Sequence, residues 1–561
     1  MKKRWWNDKI AYQIYPKSFC DSNGDGIGDI PGILTKLDYL KALGVDILWL
    51  SPVYPSPFAD QGYDISDYYA IGREFGTMED FDRLLAETKK RDMYVIMDLV
   101  VNHCSEEHEW FQKALADPEG EYADYFWFVK GENGEAPTNW RSYFGGSAWE
   151  KVPGTDKYYL HMYAKAQPDL NWENPRLRRE IFDMVNWWLD KGLAGFRIDA
   201  IINIKKTPAF HSYPVDGPDG LSSCAHMVEE ARGVGELLQE LKQNTFEKHD
   251  AFTVGEVFYM KEEELEEFVG DEGHFSSMFD FSAHLLGESE KGWYAATEVP
   301  FRLWRETIFN SQKKAEGIGL LANIIENHDE PRGVSHYLPR HAQNELGKKL
   351  LGATWMFLRG IPFFYQGQEL GMTNCLRCDI SEYDDISTHD QYRKALEAGC
   401  TREEALACCY AFSRDNGRTP MHWTDGENAG FTTGKPWLAL NPNYTEINAA
   451  EQEGRADSVL NWYRRLTALR KAHNDTFTYG RFLPVYESKE DVFAYIRENE
   501  ETGERILFAG NYGTAGVELS LCGGREVLAT NCGREAELNA QLKGGRLTLG
   551  SCECAVVLLW A

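Results

Sequence analysis

Several residues able to do acid–base chemistry stand at the ends of apolar, strand-like runs in this sequence. Asn102 and His103 follow YVIMDLV (94–100), Arg197 and Asp199 lie in GFRIDA (195–200), Glu256 lies in FTVGEV (252–257), and His328 and Asp329 follow LANIIEN (321–327). Two carboxyl groups about 5 to 5.5 Å apart can break a glycosidic bond with retention, one attacking the sugar and the other protonating the leaving oxygen. Asp199 and Glu256 fit those tasks. Arg197, two residues before Asp199 on one strand, faces the same way, and its charge is expected to keep the nucleophile ionised. Glu256 needs the reverse treatment, a raised pKa that preserves a proton near neutral pH. Any one of these acids alone would be read as a cap or a surface ion pair. Three carboxylates with two histidines and an arginine at neighbouring strand ends are better read as one site.

The elements that must position them alternate regularly. Strand-like runs at 10–15, 45–50, 94–100, 195–200, 252–257, 278–282, 321–327 and 362–367 are separated by helical patterns such as 33–44, 78–92 and 176–192. Repeated alternation argues for a parallel sheet, and eight repeats favour a closed (β/α)8 TIM barrel, in which active groups sit at the C-terminal strand ends. The barrel is read over 1–103 and 176–478. Two connections are too long for a simple barrel. The stretch 104–175, rich in aromatics and glycine, is read as an inserted domain, and about 372–455 as a subdomain carrying Cys375, Cys378 and SRDNGRTPMHW (413–423). From 479 to 561 short alternating runs with Gly and Asn turns predict an antiparallel β-sandwich.

Composition narrows the partners. With 59 basic against 88 acidic residues the net charge is −29, which repels phosphate backbones and anionic lipid. No apolar stretch approaches the about 18 residues of a membrane span, and the basic N-terminus lacks a signal-type apolar core. The expected setting is cytoplasmic and reducing, with the 12 irregularly spaced cysteines as free thiols. The expected partner is a small oligosaccharide, with no nucleic acid or membrane, and the chain is expected to act as a monomer or weak homo-oligomer.

The runs DLVVNH (98–103), GFRIDA (195–200), VGEV (254–257) and ENHDEP (326–331) resemble, in order, the four signature regions of glycoside hydrolase family 13, the α-amylase family. The resemblance extends to its three-domain plan. It implies Asp199 as nucleophile, Glu256 as acid/base and Asp329 as the third carboxylate, with His103, Arg197 and His328 lining the first sugar site. QPDLN (167–171) and DSNGDGIGDIPGI (21–33) are similar to the oligo-1,6-glucosidase group, which releases single glucose units. That likeness implies Tyr63 stacking on the glucose ring, Asp60 and Arg418 closing the pocket, and Phe144, Tyr163 and Gln167 forming the opposite wall. It also implies a structural calcium ion, and no catalytic cofactor, at a loop resembling part of an EF-hand: Asp21, Asn23, Asp25, the Ile27 carbonyl and Asp29. Ala200 and Val257 depart from the residues usual after the nucleophile and the acid, so the expectation is short α-1,6 oligosaccharides with tolerance for other linkages. The rival within the subgroup is a sucrose isomerase, whose RLDRD-type motif this chain lacks. A non-enzymatic relative would have lost the triad that is intact here.

Overall fold

The computed structural model describes residues 2–131, 133–207, 209–258, 264–284, 286–289 and 291–560. Its largest sheet has eight parallel strands: β1 (Ala11–Ile14), β2 (Ile47–Leu50), β3 (Tyr94–Leu99), β4 (Gly195–Ile198), β5 (Phe252–Gly255), β6 (Ser277–Met278), β7 (Ala322–Asn323) and β8 (Ile361–Tyr365). Around the sheet the order is β6, β5, β4, β3, β2, β1, β8, β7. The two ends meet where Phe279 bridges Ala322 and the Asp280 N–H donates to the Ala322 carbonyl at 3.0 Å. The result is the barrel that the alternation predicted. Strand β6 ends earlier than the run 278–282 suggested, and beyond it Phe279 packs its ring 5.3 Å from both Trp49 and Phe363.

Ile47, Trp49, Ile96, Phe252, Val254, Ala322, Ile361 and Phe363 form one buried cluster, made of alternate residues of the barrel strands. Side chains two apart on a strand share a face. The same parity carries this cluster upward into polar positions: Ile96 to Asp98, Val254 to Glu256, and, in register with Asp98 on β3, Arg197 on β4 followed by Asp199.

The helices return the chain with clear stop and start signals. Thr77 and Asp80 form a capping box ahead of Met78–Lys89, and Asn174 caps Pro175–Asp190 with proline in the first turn. The single helix expected over 33–44 is two, Ile30–Thr35 and Leu37–Leu43, broken at Lys36 (φ −108°, ψ 3°). Strands Phe128–Lys130, Trp149–Lys151 and Lys157–Leu160 build a small antiparallel sheet in the long connection after β3. At the C-terminus, five strands between Arg481 and Leu559 form one sheet, and Val517–Ser520 pairs with Arg546–Leu549 in a second. Val492, Ala494 and Ile496 fill the space between these sheets, while Phe493 and Tyr495 join the core of the barrel domain. Among the described residues no helix is long and apolar enough to cross a membrane.

Candidate active site

One buried guanidinium organises the strand ends. Arg197, 1% exposed, donates from Nη1 to Asp98 Oδ1 at 2.6 Å and to Asp199 Oδ1 at 2.5 Å, and from Nη2 to Glu256 Oε1 at 2.5 Å. The other oxygen of Glu256 accepts the Ala200 N–H at 2.9 Å. Ala200 reaches that position with φ 41° and ψ 36°, a left-handed conformation uncommon for a residue with a side chain and frequent at functional sites. Asp98 is anchored from behind by Trp49 Nε1 at 2.8 Å. Thus β3, β4 and β5 deliver three carboxylates to one arginine.

Burial pushes Glu256 up to about 8 and Asp199 up to about 7, with Arg197 opposing both shifts. Arg197 was expected to keep Asp199 ionised, and its charge does pull the Asp199 pKa down, but burial outweighs it. One positive charge is divided among three anions, and burial removes the water that would stabilise them. The two groups titrate as a pair, with the higher value on Glu256, so the singly protonated state holds its proton on Glu256. A retaining pair would need that state, one carboxylate ionised and the other protonated, so kcat/KM is expected to rise as the pair loses its first proton and to fall as Glu256 loses its own. Both limbs of the bell should therefore lie above the usual carboxylate range. A profile flat down to pH 5 would show that Asp199 is not raised.

Asp329 behaves oppositely. Burial pulls its pKa upward, but His328, Arg414 and Arg418 outweigh it and hold the carboxylate well below its usual range. His328 Nε2 lies 2.9 Å from Asp329 Oδ2, while its Nδ1 meets Gln13 at 2.8 Å and its ring stacks on Tyr63 at 5.1 Å, 7° from parallel. Burial pushes both His328 and His103 down to about 4, so both are neutral hydrogen-bonding groups at neutral pH. Lys206 donates to Asn102 at 2.9 Å, and Asn102 lies 3.2 Å from His103 Nδ1, leaving Nε2–H to face the Tyr63 carbonyl at 3.2 Å. Gln167 Nε2 donates to Asp60 at 3.2 Å and lies 3.1 Å from His103 Nε2. Tyr163 packs on His103 at 5.1 Å, and its hydroxyl accepts from Asn203 at 3.0 Å.

With Tyr63 donating to Asp98 at 3.4 Å and Arg197 lying 5.8 Å over the Tyr63 ring, Asp60, Tyr63, His103, Tyr163, Gln167, Arg197, Asp199, Glu256, His328 and Asp329 form one continuous cluster. Arg418 is 0% exposed and donates to Asp329 Oδ1 at 2.9 Å and to the His328 carbonyl at 2.9 Å. The guanidinium that reaches Asp60 is Arg414, at 3.3 Å, which also donates to Asp329 at 3.1 Å and lies 5.1 Å over the Phe144 ring. Asp385 holds Arg414 there at 2.5 Å. Sequence reading missed Asp98, Arg414 and Asp385. An aspartate inside the apolar run YVIMDLV was a usable signal for the first. An arginine one helical turn before Arg418 was a signal for the second.

The loop 21–29 lies elsewhere, packed on the segment after residue 430. Asp21 accepts the N–H groups of Asn23, Gly24 and Gly26 and the Thr432 hydroxyl, and Asp29 caps the helix that starts at Ile30. Cys375 is buried and Cys378 exposed, and no disulfide links any of the cysteines.

A closed parallel barrel with paired carboxylates at its C-terminal strand ends defines a barrel enzyme of the hydrolytic type. The model of the α-amylase catalytic domain matches residues 13–480. The chain is 43% identical over 500 residues to an oligo-1,6-glucosidase of Parageobacillus thermoglucosidasius, covering 89% of each. It is 39% identical over 548 residues to a glucan 1,6-alpha-glucosidase of Streptococcus pneumoniae serotype 4, covering 97% of this chain and 98% of that protein. The crystal structure of an isomaltulose synthase from Klebsiella sp. LX3 superposes with a TM-score of 0.93 at 37% identity over 100% of both chains. The chain belongs to the α-amylase family, glycoside hydrolase family 13, and is a glycoside hydrolase.

Proposed function

We propose that the protein is an exo-acting, retaining α-glucosidase that removes terminal glucose from short α-1,6-linked oligosaccharides. The observation that carries this reading is the sharing of Arg197. Asp199 and Glu256 bind adjacent nitrogens of one planar guanidinium, which suits the short separation of a retaining pair, about 5 to 5.5 Å, better than the about 6.5 to 9.5 Å of an inverting pair. In the first step an Asp199 oxygen bonds to the anomeric carbon as the bond to the leaving oxygen breaks, and the Glu256 proton passes to that oxygen. In the second, Glu256 takes a proton from water, the water oxygen bonds to the anomeric carbon, and Asp199 departs as a carboxylate. Asp329 and the two neutral histidines hold sugar hydroxyls, and Tyr63 offers a ring face to the glucose. Asp60, Arg414 and Asp329 bridge one end of the pocket, which supports release of single terminal units. The 1,6 preference is supported by the names of the two relatives above.

The isomaltulose synthase neighbour favours a second reading, in which fructose rather than water takes the glucosyl group. Incubating the protein separately with isomaltose, maltose and sucrose and separating the products decides between them. Free glucose released fastest from isomaltose is expected. Fastest release from maltose would move the preference to α-1,4 bonds, and conversion of sucrose to an isomeric disaccharide would replace hydrolysis with isomerisation.

The loop at Asp21, Asn23, Asp25, Ile27 and Asp29 offers hard oxygen donors at alternating positions, which fits a structural calcium ion. Among the described residues no group of three His, Cys, Asp or Glu side chains could hold a metal, so the amide of Asn23 and the Ile27 carbonyl would have to complete the shell. The expected result is a higher Tm in millimolar calcium than in chelator, equivalent to about 2.7 kcal/mol at a hundredfold excess over Kd. The difference should vanish in Asp21→Ala. An equal Tm in both solutions would remove the metal. The free thiols suit a reducing, cytoplasmic setting.

A further inference from the structure

A cleft of about 680 Å3 opens where the barrel meets the C-terminal sheets, within the roughly 300 to 1,000 Å3 of small-molecule sites. One wall comes from segments that follow β6, β7 and β8, and the other includes Tyr512, Gly513 and Thr514. These barrel segments leave from the C-terminal side of the barrel, and of the three strands only β7 is followed by a candidate catalytic carboxylate, Asp329. Phe412, in the lining, stands two residues before Arg414. None of the catalytic residues lines the cleft.

Its surface combines ring faces with polar edges. Tyr337, His336 and Phe412 are part-exposed rings of the lining, with His336 4.7 Å from Tyr337 and 6.2 Å from Phe412, while Trp304 packs beneath them in the core. No lysine or arginine is among the described lining residues, which disfavours phosphate or sulfate groups. Rings that can cover C–H faces, next to His336 and Asp491 as hydrogen-bonding groups, describe a neutral polyhydroxylated ligand. A satellite aromatic core hydrated by water would need the rings but not so open a cleft.

We propose that this cleft is a second, non-catalytic site for a short α-glucan. The ligand class rests on the glucosidase reading, and the site is additional to it. The test titrates isomaltotriose into the full protein whose catalytic pocket is saturated with deoxynojirimycin, and measures residual binding by calorimetry. One further site is expected, weakened about three- to tenfold in Phe412→Ala and in His336→Ala, the loss of one ring face. Cleavage of nitrophenyl glucoside and the Tm should stay close to those of the unsubstituted protein in at least one variant. No residual heat, or residual binding untouched by both substitutions, would overturn the site. Failure of the glucosidase reading would be seen separately, as absent glucose release from isomaltose by the unsubstituted protein.

Discussion

Asp199→Asn is expected to stop glucose release from isomaltose, maltose and aryl glucosides alike, lowering kcat by at least about four orders of magnitude, the scale seen when a covalent nucleophile is removed. An amide of the same shape cannot form the glucosyl ester, and no leaving group, however good, bypasses that step. The fold should survive, because Arg197 retains Asp98 and Glu256 as partners. The sign of the stability effect supports the distinction. Burial raises the pKa of Asp199 to about 7 in the folded protein, against about 3.9 in an unfolded chain. Its ionisation therefore disfavours the fold increasingly as pH rises from the unfolded value to the folded one. Removing the ionisable group should leave the Tm at pH 8 no lower than that of the unsubstituted protein. Initial rates on three substrates beside a thermal melt check both parts. Turnover of an aryl glucoside above about 1% of normal would assign the attack to another group.

The barrel was legible because its signal is local. Alternating apolar residues mark each strand, and the polar residues two positions beyond Ile96 and Val254 inherit the inward direction of those core side chains. Asp199 and Glu256 could therefore be assigned to one pocket before any fold was known. The role of Arg414 beside Arg418 was hidden for the opposite reason. Arg414 and Arg418 flank one short helix, Asp415–Arg418, and which guanidinium faces Asp60 depends on Asp385, some 30 residues earlier in the chain, holding the first of them. Long-range partners of that kind leave no periodicity in a sequence. The same limit hid the role of Asp98, since a carboxylate inside a barrel strand reads as an exception until Arg197 and Trp49 are placed against it. The C-terminal region was read as β throughout, yet Glu535–Leu542 is helical. Its eight residues are too short to stand out among alternating runs. That burial outweighs Arg197 at Asp199 was not legible, because the number of carboxylates sharing the arginine is visible only in three dimensions.

Glu256→Gln should separate substrates by their leaving groups. A sugar alkoxide is a poor leaving group and needs its proton during bond breaking, and general acid catalysis is worth about 100- to 10,000-fold. Isomaltose turnover is expected to fall by that factor. A nitrophenolate leaves without help, so formation of the glucosyl-enzyme from nitrophenyl glucoside should be far less affected. The second half of the cycle still needs Glu256 as a base to activate water, so the intermediate should accumulate, giving a burst of nitrophenol followed by slow turnover. Azide, which needs no base, should speed that slow phase and yield a glucosyl azide of retained configuration. The alkaline limb of the burst rate should also disappear, because the group that burial raises to about 8 is gone. Equal losses on both substrates, with no burst and no azide effect, would instead mean that Glu256 only holds Arg197 and Ala200 in place. The contacts at 2.5 and 2.9 Å make that a real alternative, and Gln preserves much of their geometry, so the comparison isolates the proton from the scaffold.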